Sequence, residues 1–208
     1  MTSTLDRLYS FIQFSARLRE VERHNLATPD RPESVAEHSW HLALICWLLR
    51  DEFEREFNAP VDLDKMIKMC LLHDLVEIDT GDPSAWRTDG AAEGSAEAKR
   101  QKALAEEQSA QERFGSLPEP IASEMLAVWH EHEAAETVEA RLVRAVDRLN
   151  PALMRHLTGQ GWSDVSATAE DLDNLQLPRV SVSATLTELY QRVRAAAVEN
   201  GQFVVKGA

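Results

Sequence analysis

The spacing of apolar residues is the feature that most restricts the fold of this chain. In residues 5–21, 63–79 and 137–157 the apolar side chains recur at intervals of three and four, which matches the roughly 3.6-residue period of an α-helix. No segment alternates apolar and polar residues in the manner of a half-buried strand. The spacing therefore predicts an all-α protein built as a helical bundle.

Capping and helix-breaking residues predict where these helices begin and end. Ser34 and Glu37 have capping-box spacing, so a helix begins there, and it ends near Asn58. Gly81 and Pro83 end a later helix. The predicted helices span residues 5–21, 34–57, 63–79, 96–114, 119–132, 137–157 and 182–199. Irregular segments are predicted at residues 22–33, 82–94 and 159–178.

The length of 208 residues suits one well-buried domain and is short for two. We expect a single domain over residues 1–208, with its core in residues 5–157. Residues 158–208 are predicted to form a loop and a helix that pack on this core.

The charge balance excludes one class of partner. Lys and Arg number 22 and Asp and Glu 35, so the net charge of −13 repels a DNA or RNA polymer. A small phosphate ester is still compatible, because a metal ion and one or two arginines can dominate the field within a pocket.

The longest apolar run, residues 42–49, is too short to cross a membrane, so we expect no membrane partner. Cys46 and Cys70 lie in apolar helical runs typical of reduced core residues, which favours a cytoplasmic protein.

The adjacent pair His73 and Asp74 is the first candidate for a functional site. It interrupts an apolar helical stretch, where two ionisable side chains are costly without a partner. His38 and Asp147 lie in other predicted helices that can face this pair. Two imidazoles and two carboxylates without a thiolate favour one divalent ion, Mn²⁺, Co²⁺, Ni²⁺, Fe²⁺, Mg²⁺ or Zn²⁺, with positions left for water. By itself, however, the dipeptide is more often a hydrogen-bonded structural pair.

Two further carboxylates follow the His73-Asp74 pair. Glu77 lies three residues after Asp74, on the same helical face, and Asp82 follows the helix-ending Gly81. Phosphoester hydrolysis requires one group to act on water and another to protonate the leaving oxygen. The alternative interpretation makes Glu77 a solvated helix residue and Asp82 a turn former.

Three ordered motifs resemble those of the HD-domain phosphohydrolases, with most similarity to the 5′-deoxynucleotidase branch. They are Glu37-His38-Ser39, Leu72-His73-Asp74-Leu75-Val76-Glu77 with Thr80-Gly81-Asp82, and residues 141–149 around Asp147. The resemblance covers residues 5–157 and implies hydrolysis of nucleoside 5′-monophosphates.

The resemblance also implies roles for single residues. His38, His73, Asp74 and Asp147 would bind one divalent metal ion. Glu77 and Asp82 match the catalytic acids of the family, and we expect Glu77 to act on water and Asp82 near the leaving group or the sugar, although the two roles can be exchanged.

Substrate contacts form the last part of the resemblance. Arg23 matches an arginine that contacts the phosphate or the sugar. Related enzymes place a tryptophan after this arginine to reject a 2′-hydroxyl, whereas this chain has His24, so the choice between ribose and deoxyribose stays open. We expect residues 82–94 to act as a lid on which Trp86 covers the base.

Several other readings stay open at this stage. His41 is interpreted as a core or hydrogen-bonding residue, His130 and His132 as surface or helix-end residues, and Trp40 and Trp47 as core or subunit-interface residues.

The alternative functions are hydrolysis of another small nucleotide or phosphonate, as a phosphodiesterase or pyrophosphohydrolase, and a non-catalytic nucleotide-sensing module. The predicted partners are a small phosphorylated substrate and a second copy of the chain in a homodimer.

Overall fold

The computed structural model describes residues 3–82 and 96–204. The α-helices are α1 (Thr4–Ser15), α2 (Val35–Phe57), α3 (Leu63–Leu72), α4 (Glu77–Thr80), α5 (Ala96–Gly115), α6 (Ile121–Ala134), α7 (Val138–Leu157), α8 (Ala169–Val180) and α9 (Ala184–Glu199). A 3₁₀ helix (Ala16–Glu20) follows α1, and the strands are β1 (Glu22–Thr28) and β2 (Arg31–Ser34). The helical prediction is thus confirmed, and most predicted boundaries lie within two residues of the observed ones.

The largest hydrophobic cluster lies between α2, α3, α7, α8 and α9. It includes Leu42 and Phe53 of α2, Met66 of α3, Leu149 of α7 and Tyr190 of α9, each at most 2% exposed. A second cluster lies between the 3₁₀ helix, the segment after α3, α5 and α6. None of the helices in the described ranges has the length and apolar character needed to cross a bilayer.

The prediction that residues 22–33 are irregular was wrong. β1 and β2 pair as an antiparallel hairpin, with Leu26 opposite Pro32, around a turn at Pro29-Asp30. The side chains that these strands bury are the polar ones of Asn25, Glu33 and Ser34, so their sequence has no apolar alternation. The Pro-Asp turn was the available sign of a hairpin.

The predicted helix over residues 63–79 is broken in the structure. α3 ends at Leu72, and the amides of Leu75 and Glu77 donate to the carbonyls three residues earlier, at 3.1 and 3.0 Å. This tight turn contains His73 and Asp74. Neighbours on a regular helix diverge by about 100°, so a local change of winding helps both side chains reach one site.

The prediction of an irregular segment over residues 159–178 was also wrong, because it contains α8. Thr168 and Asp171 form a capping box at its start. Its apolar residues form no clear stripe and Pro178 lies inside it, so a periodicity argument missed this helix, although the capping-box spacing was present in the sequence.

Candidate metal and phosphate site

His38 and His73 are buried in the middle of the molecule, and both imidazoles have their Nδ1 atoms engaged. Nδ1 of His38 lies 3.1 Å from Oδ1 of Asn150, and Nδ1 of His73 lies 2.9 Å from the carbonyl oxygen of Cys70. Both partners are acceptors, so each Nδ1 carries the proton. In the neutral tautomer the Nε2 lone pairs are therefore available to a cation.

Two carboxylates lie opposite these nitrogens. Oδ2 of Asp74 is 3.1 Å from Nε2 of His73 and 3.8 Å from Nε2 of His38. Oδ1 of Asp147 is 3.1 Å from Nε2 of His38 and 3.9 Å from Nε2 of His73. Helices α2 and α7 and the turn after α3 thus bring the four predicted metal ligands together.

The chemistry of these atoms fits a divalent cation. The buried Nε2 of His73 has no hydrogen-bond partner among the described residues, although the Asp74 oxygen is near. His38, His73 and Asp74 each bring a ligand atom to within 4.8 Å of the others. Lone pairs facing carboxylate oxygens repel one another unless positive charge lies between them.

The pKa of His73 indicates the same preference for positive charge. Burial lowers this pKa, but the carboxylates of Asp74 and Asp147 outweigh burial and raise it to about 9. The His73 side chain is therefore surrounded by negative potential that would stabilise a bound cation as well as a proton.

Arg23 of β1 reaches into the same site from the hairpin. Its Nη1 lies 3.3 Å from Oδ2 of Asp74 and 3.6 Å from Oδ2 of Asp82, and its Nε lies 3.5 Å from Oε2 of Glu33. The side chain of Glu33, which follows on β2, is 3% exposed. Pairing of the two strands therefore places the buried carboxylate of Glu33 beside the guanidinium of Arg23.

Glu77 and Asp82 both face this centre. Glu77 is 3% exposed, and burial together with the charges of Asp74 and Asp82 raises its pKa to about 9. Burial also raises the pKa of Asp82. Lys102 of α5 donates to Oε1 of Glu77 at 3.1 Å, and its charge opposes the rise at Glu77. Carboxyl groups with raised pKa values are suited to exchanging protons near neutral pH.

A cavity of about 180 Å³ opens onto these groups. Its described lining residues are Arg23, His24, Asn25, Asp74, Glu77, Asp82, Lys102, Asp147, Arg148, Pro151, Leu175, Gln176 and Arg179. The predicted substrate residues Arg23 and His24 thus share a cavity with both predicted catalytic acids.

The position of His24 is set from the C-terminal half of the chain. Its Nε2 lies 3.5 Å from Oδ2 of Asp164, and the side-chain amide of Gln160 donates to its backbone carbonyl at 3.3 Å. Gln160 also accepts from the amide of Leu26 at 3.0 Å. The segment after α7 therefore anchors the strand that carries Arg23 and His24.

The interpretation of the α6 histidines as surface or helix-end residues agrees with the structure, because His130 is at the surface and His132 lies in the last turn of α6, although His132 is buried. His130 is partly exposed, with its Nε2 3.2 Å from Glu107, but His132 is 4% exposed and its ring lies 5.3 Å from the ring of His73. Residues two apart on a helix point in different directions, and the site lies on the side that His132 faces. Burial lowers the pKa of His132, so it packs against His73 as a neutral ring.

Other expectations have mixed outcomes. His41 accepts from Nδ2 of Asn150 at 2.9 Å, in agreement with a hydrogen-bonding role. Trp40 and Trp47 are 63% and 61% exposed, so neither is a core residue. Trp86 and the predicted lid, apart from Asp82, lie outside the described residues.

Sequence reasoning missed several site residues, namely Glu33, Lys102, Asn150, Leu175, Gln176 and Arg179. Asn150 lies three residues after Asp147 on a helix already assigned to the site, so helical spacing was a usable signal for it. The others depend on how β2, α5 and α8 pack, which no local pattern specifies.

The fold and the site define a mainly helical protein with a cluster of histidines and carboxylates that could hold a metal ion. The family model described as HD domain matches residues 15–184. The chain therefore belongs to the HD domain family.

Individual relatives agree with this assignment. The chain is 24% identical over 201 residues to the 5′-deoxynucleotidase HDDC2 of Homo sapiens, covering 92% of this chain and 91% of the relative. It is 30% identical over 140 residues to the 5′-deoxynucleotidase Ent638_2835 of Enterobacter sp. (strain 638), covering 67% of each chain. A crystal structure of a predicted metal-dependent phosphohydrolase from Magnetospirillum magnetotacticum MS-1 superposes with a TM-score of 0.78, at 34% identity and over 97% of this chain and 98% of that one.

Proposed function

We propose that this protein is a metal-dependent phosphomonoesterase that hydrolyses nucleoside 5′-monophosphates to nucleoside and inorganic phosphate. The observation that carries the proposal is the convergence of two Nε2 lone pairs and two carboxylates beside a buried arginine and two further acids. The activity after which the 5′-deoxynucleotidase relatives are named supports the choice of substrate.

His38, His73, Asp74 and Asp147 are the proposed ligands of one divalent ion. Such an ion supplies Lewis-acid stabilisation of the phosphoryl oxygens and lowers the pKa of a water molecule. The donor set of nitrogen and oxygen atoms is compatible with Mn²⁺, Co²⁺, Ni²⁺, Fe²⁺, Mg²⁺ or Zn²⁺.

Arg23 is the proposed phosphate-binding residue. Its guanidinium is 11% exposed and lies between the carboxylates of Asp74 and Asp82, so it is held in place before substrate arrives. A preorganised guanidinium can donate two hydrogen bonds to phosphate oxygens and stabilise the charge that develops on them.

Glu77 and Asp82 are the proposed proton carriers. As the oxygen of water bonds to phosphorus, Glu77 takes a proton from the water. As the bond between phosphorus and O5′ breaks, Asp82 gives a proton to O5′, so the nucleoside leaves as a neutral alcohol. Burial raises the pKa of Asp82, which favours the protonated form that a general acid needs. Glu77 acts as a base only in its ionised form, which the charge of Lys102 favours by lowering the pKa of Glu77.

A metal-by-substrate panel tests this function. Protein loaded with each divalent ion is incubated with ribo- and deoxyribonucleoside 5′-monophosphates, a cyclic nucleotide, a dinucleotide and a phosphonate, and inorganic phosphate, nucleoside and nucleotide products are measured. We expect release from the monophosphates, its loss in Asp147→Asn, and its retention in a His130→Ala control at the partly exposed site on α6. Absence of release from every monophosphate at full metal occupancy would contradict the proposal.

The choice between ribose and deoxyribose is tested at His24. This side chain lines the cavity and is 47% exposed, so a larger ring at this position would crowd the sugar. We expect His24→Trp to lower kcat/KM for AMP more than for dAMP. An equal effect on both nucleotides would show that residue 24 does not contact the 2′ position.

We also propose that the protein is a cytoplasmic homodimer. The exposed side chains of Trp40, Trp47 and Leu48 give α2 an apolar surface that a second copy can cover. Cys46 and Cys70 are free thiols, buried with their sulfurs 3.7 Å apart, which agrees with a reducing compartment. Light scattering of the wild type and of Trp47→Glu tests the dimer, because the variant should be monomeric.

A further inference from the structure

The side chain of Gln176 is not explained by the proposed hydrolysis. It belongs to α8, is 3% exposed and lines the cavity beside the metal and phosphate groups. Its Oε1 is buried and accepts no hydrogen bond from any described residue. A buried acceptor without a donor is unfavourable, so this carboxamide is destabilising unless a ligand donates a hydrogen bond to it.

The surroundings of Gln176 differ from those of the metal ligands. The lining of the same cavity includes Leu175, the preceding residue on α8, and Pro151, which lies one turn after Asp147 on α7. These are the two apolar side chains among the described lining residues. Apolar surface beside an amide suits a planar ring with polar edges better than it suits a phosphate group.

The unpaired atom also restricts the ligand. An acceptor oxygen requires an N–H or O–H donor, and the dianionic phosphate group of a monoester has neither. The sugar hydroxyls and the amino or ring N–H groups of a base are donors of the required kind. The phosphate, in contrast, finds its partners at Arg23 and at the proposed metal ligands.

We propose that Gln176 binds the nucleoside part of the substrate by accepting a hydrogen bond from a sugar hydroxyl or a base N–H, and that Leu175 and Pro151 contact its ring. This inference rests on the proposed function for the identity of the substrate. It makes α8 part of the substrate site and Gln176 a determinant of selectivity for nucleotides over other phosphate monoesters.

The test compares ligands with and without a nucleoside. Kinetics are measured with AMP, dAMP, CMP and dCMP against phenyl phosphate for the wild type and for Gln176→Met, which keeps the size of the side chain and removes its hydrogen bonds. We expect the ratio of kcat/KM for nucleotides to that for phenyl phosphate to fall about tenfold, which corresponds to roughly 1.4 kcal/mol. Asn174→Leu, at an exposed amide of the same helix, is the matched control and should leave the ratio unchanged.

A binding experiment separates this inference from the proposed hydrolysis. Metal-loaded protein is titrated calorimetrically with the non-hydrolysable 5′-phosphonate analogue of AMP and with phenylphosphonate. The ratio of the two dissociation constants then reports the same selectivity without turnover. If the wild type binds both ligands but releases phosphate from no substrate, the hydrolytic function fails while Gln176→Met still decides the inference. Equal weakening of both ligands, or weakening of neither, would overturn the role of Gln176.

Discussion

At the scale of single residues, Asn150 is expected to control metal affinity. Its Oδ1 accepts from His38, and its Nδ2 donates to His41, so it fixes the orientation and tautomer of one proposed ligand. Loss of such a partner typically weakens metal binding 10- to 100-fold. Asn150→Leu should therefore raise the metal dissociation constant by about that factor, as measured by chelator competition. The exposed Asn174→Leu serves as control, and equal affinities of the two variants would contradict this role.

Lys102 is expected to set the pH range of activity. Burial and nearby carboxylates raise the pKa of Glu77, and the charge of Lys102 lowers it. Lys102→Met removes that lowering, so the pKa of Glu77 rises further and Glu77 stays protonated to higher pH. Because the proposed role of Glu77 requires its ionised form, the acidic limb of the pH–rate profile should move up by about one pH unit.

The exposed Lys99 of the same helix provides the control for this experiment. Lys99→Met should leave the pH profile in place. An acidic limb that stays unchanged in Lys102→Met, or one that moves to lower pH, would exclude Glu77 as the group that titrates.

At the scale of elements, an ion pair between the buried Arg155 and the partly exposed Asp164 holds the segment after α7 against that helix. Arg155 is 1% exposed and donates to the carbonyl of Gly161 at 2.6 Å and to both carboxylate oxygens of Asp164 at 2.7 and 3.0 Å. Removing one partner of such a pair leaves a charge and a carbonyl unpaired. Because the side chain of Asp164 is 37% exposed and water screens part of the interaction, Arg155→Leu should lower the free energy of unfolding by about 2 kcal/mol, as measured by urea denaturation.

The matched control is the ion pair of Arg192 with Glu188 on α9, which is exposed to solvent. Arg192→Leu should leave the unfolding free energy unchanged within error. Since Asp164 also contacts His24, Arg155→Leu is expected to disturb the substrate cavity as well. Similar stabilities of the two variants would show that the buried pair adds nothing beyond the packing of its alkyl chain.

At the scale of the whole molecule, the metal ion is expected to stabilise the entire fold. Its proposed ligands come from α2, the turn after α3, and α7, all of which contribute to the largest hydrophobic cluster or border it. A ligand that binds only the folded state at 100 times its dissociation constant stabilises by about 2.7 kcal/mol. Chelation should therefore lower the melting temperature, and calorimetry should show one transition with and without the ion.

A single transition is expected because the cluster includes side chains from Leu42 to Ala197. The single domain over residues 1–208 stays a prediction until this measurement is made. Separate melting of α8 and α9 would contradict it.

The local sequence was sufficient to predict most of the helices, and together with the family resemblance it gave the metal-ligand candidates. Apolar periodicity sets which faces of helices are buried, and an apolar stretch that contains His73 and Asp74 requires something to compensate two ionisable groups. Both properties depend on residues close together in the chain. For this reason α2 and α7 were predicted well, and His38 and Asp147 were assigned with them.

Tertiary structure alone decided the cavity wall opposite the metal ligands. Lys102 approaches Glu77 because α5 packs near α4, and Gln176 lines the cavity because α8 packs on α7. Glu33 orients Arg23 because the hairpin pairs β1 with β2. Such contacts join residues that are far apart in the chain or paired in a strand register, and their energies depend on packing that no short sequence pattern encodes.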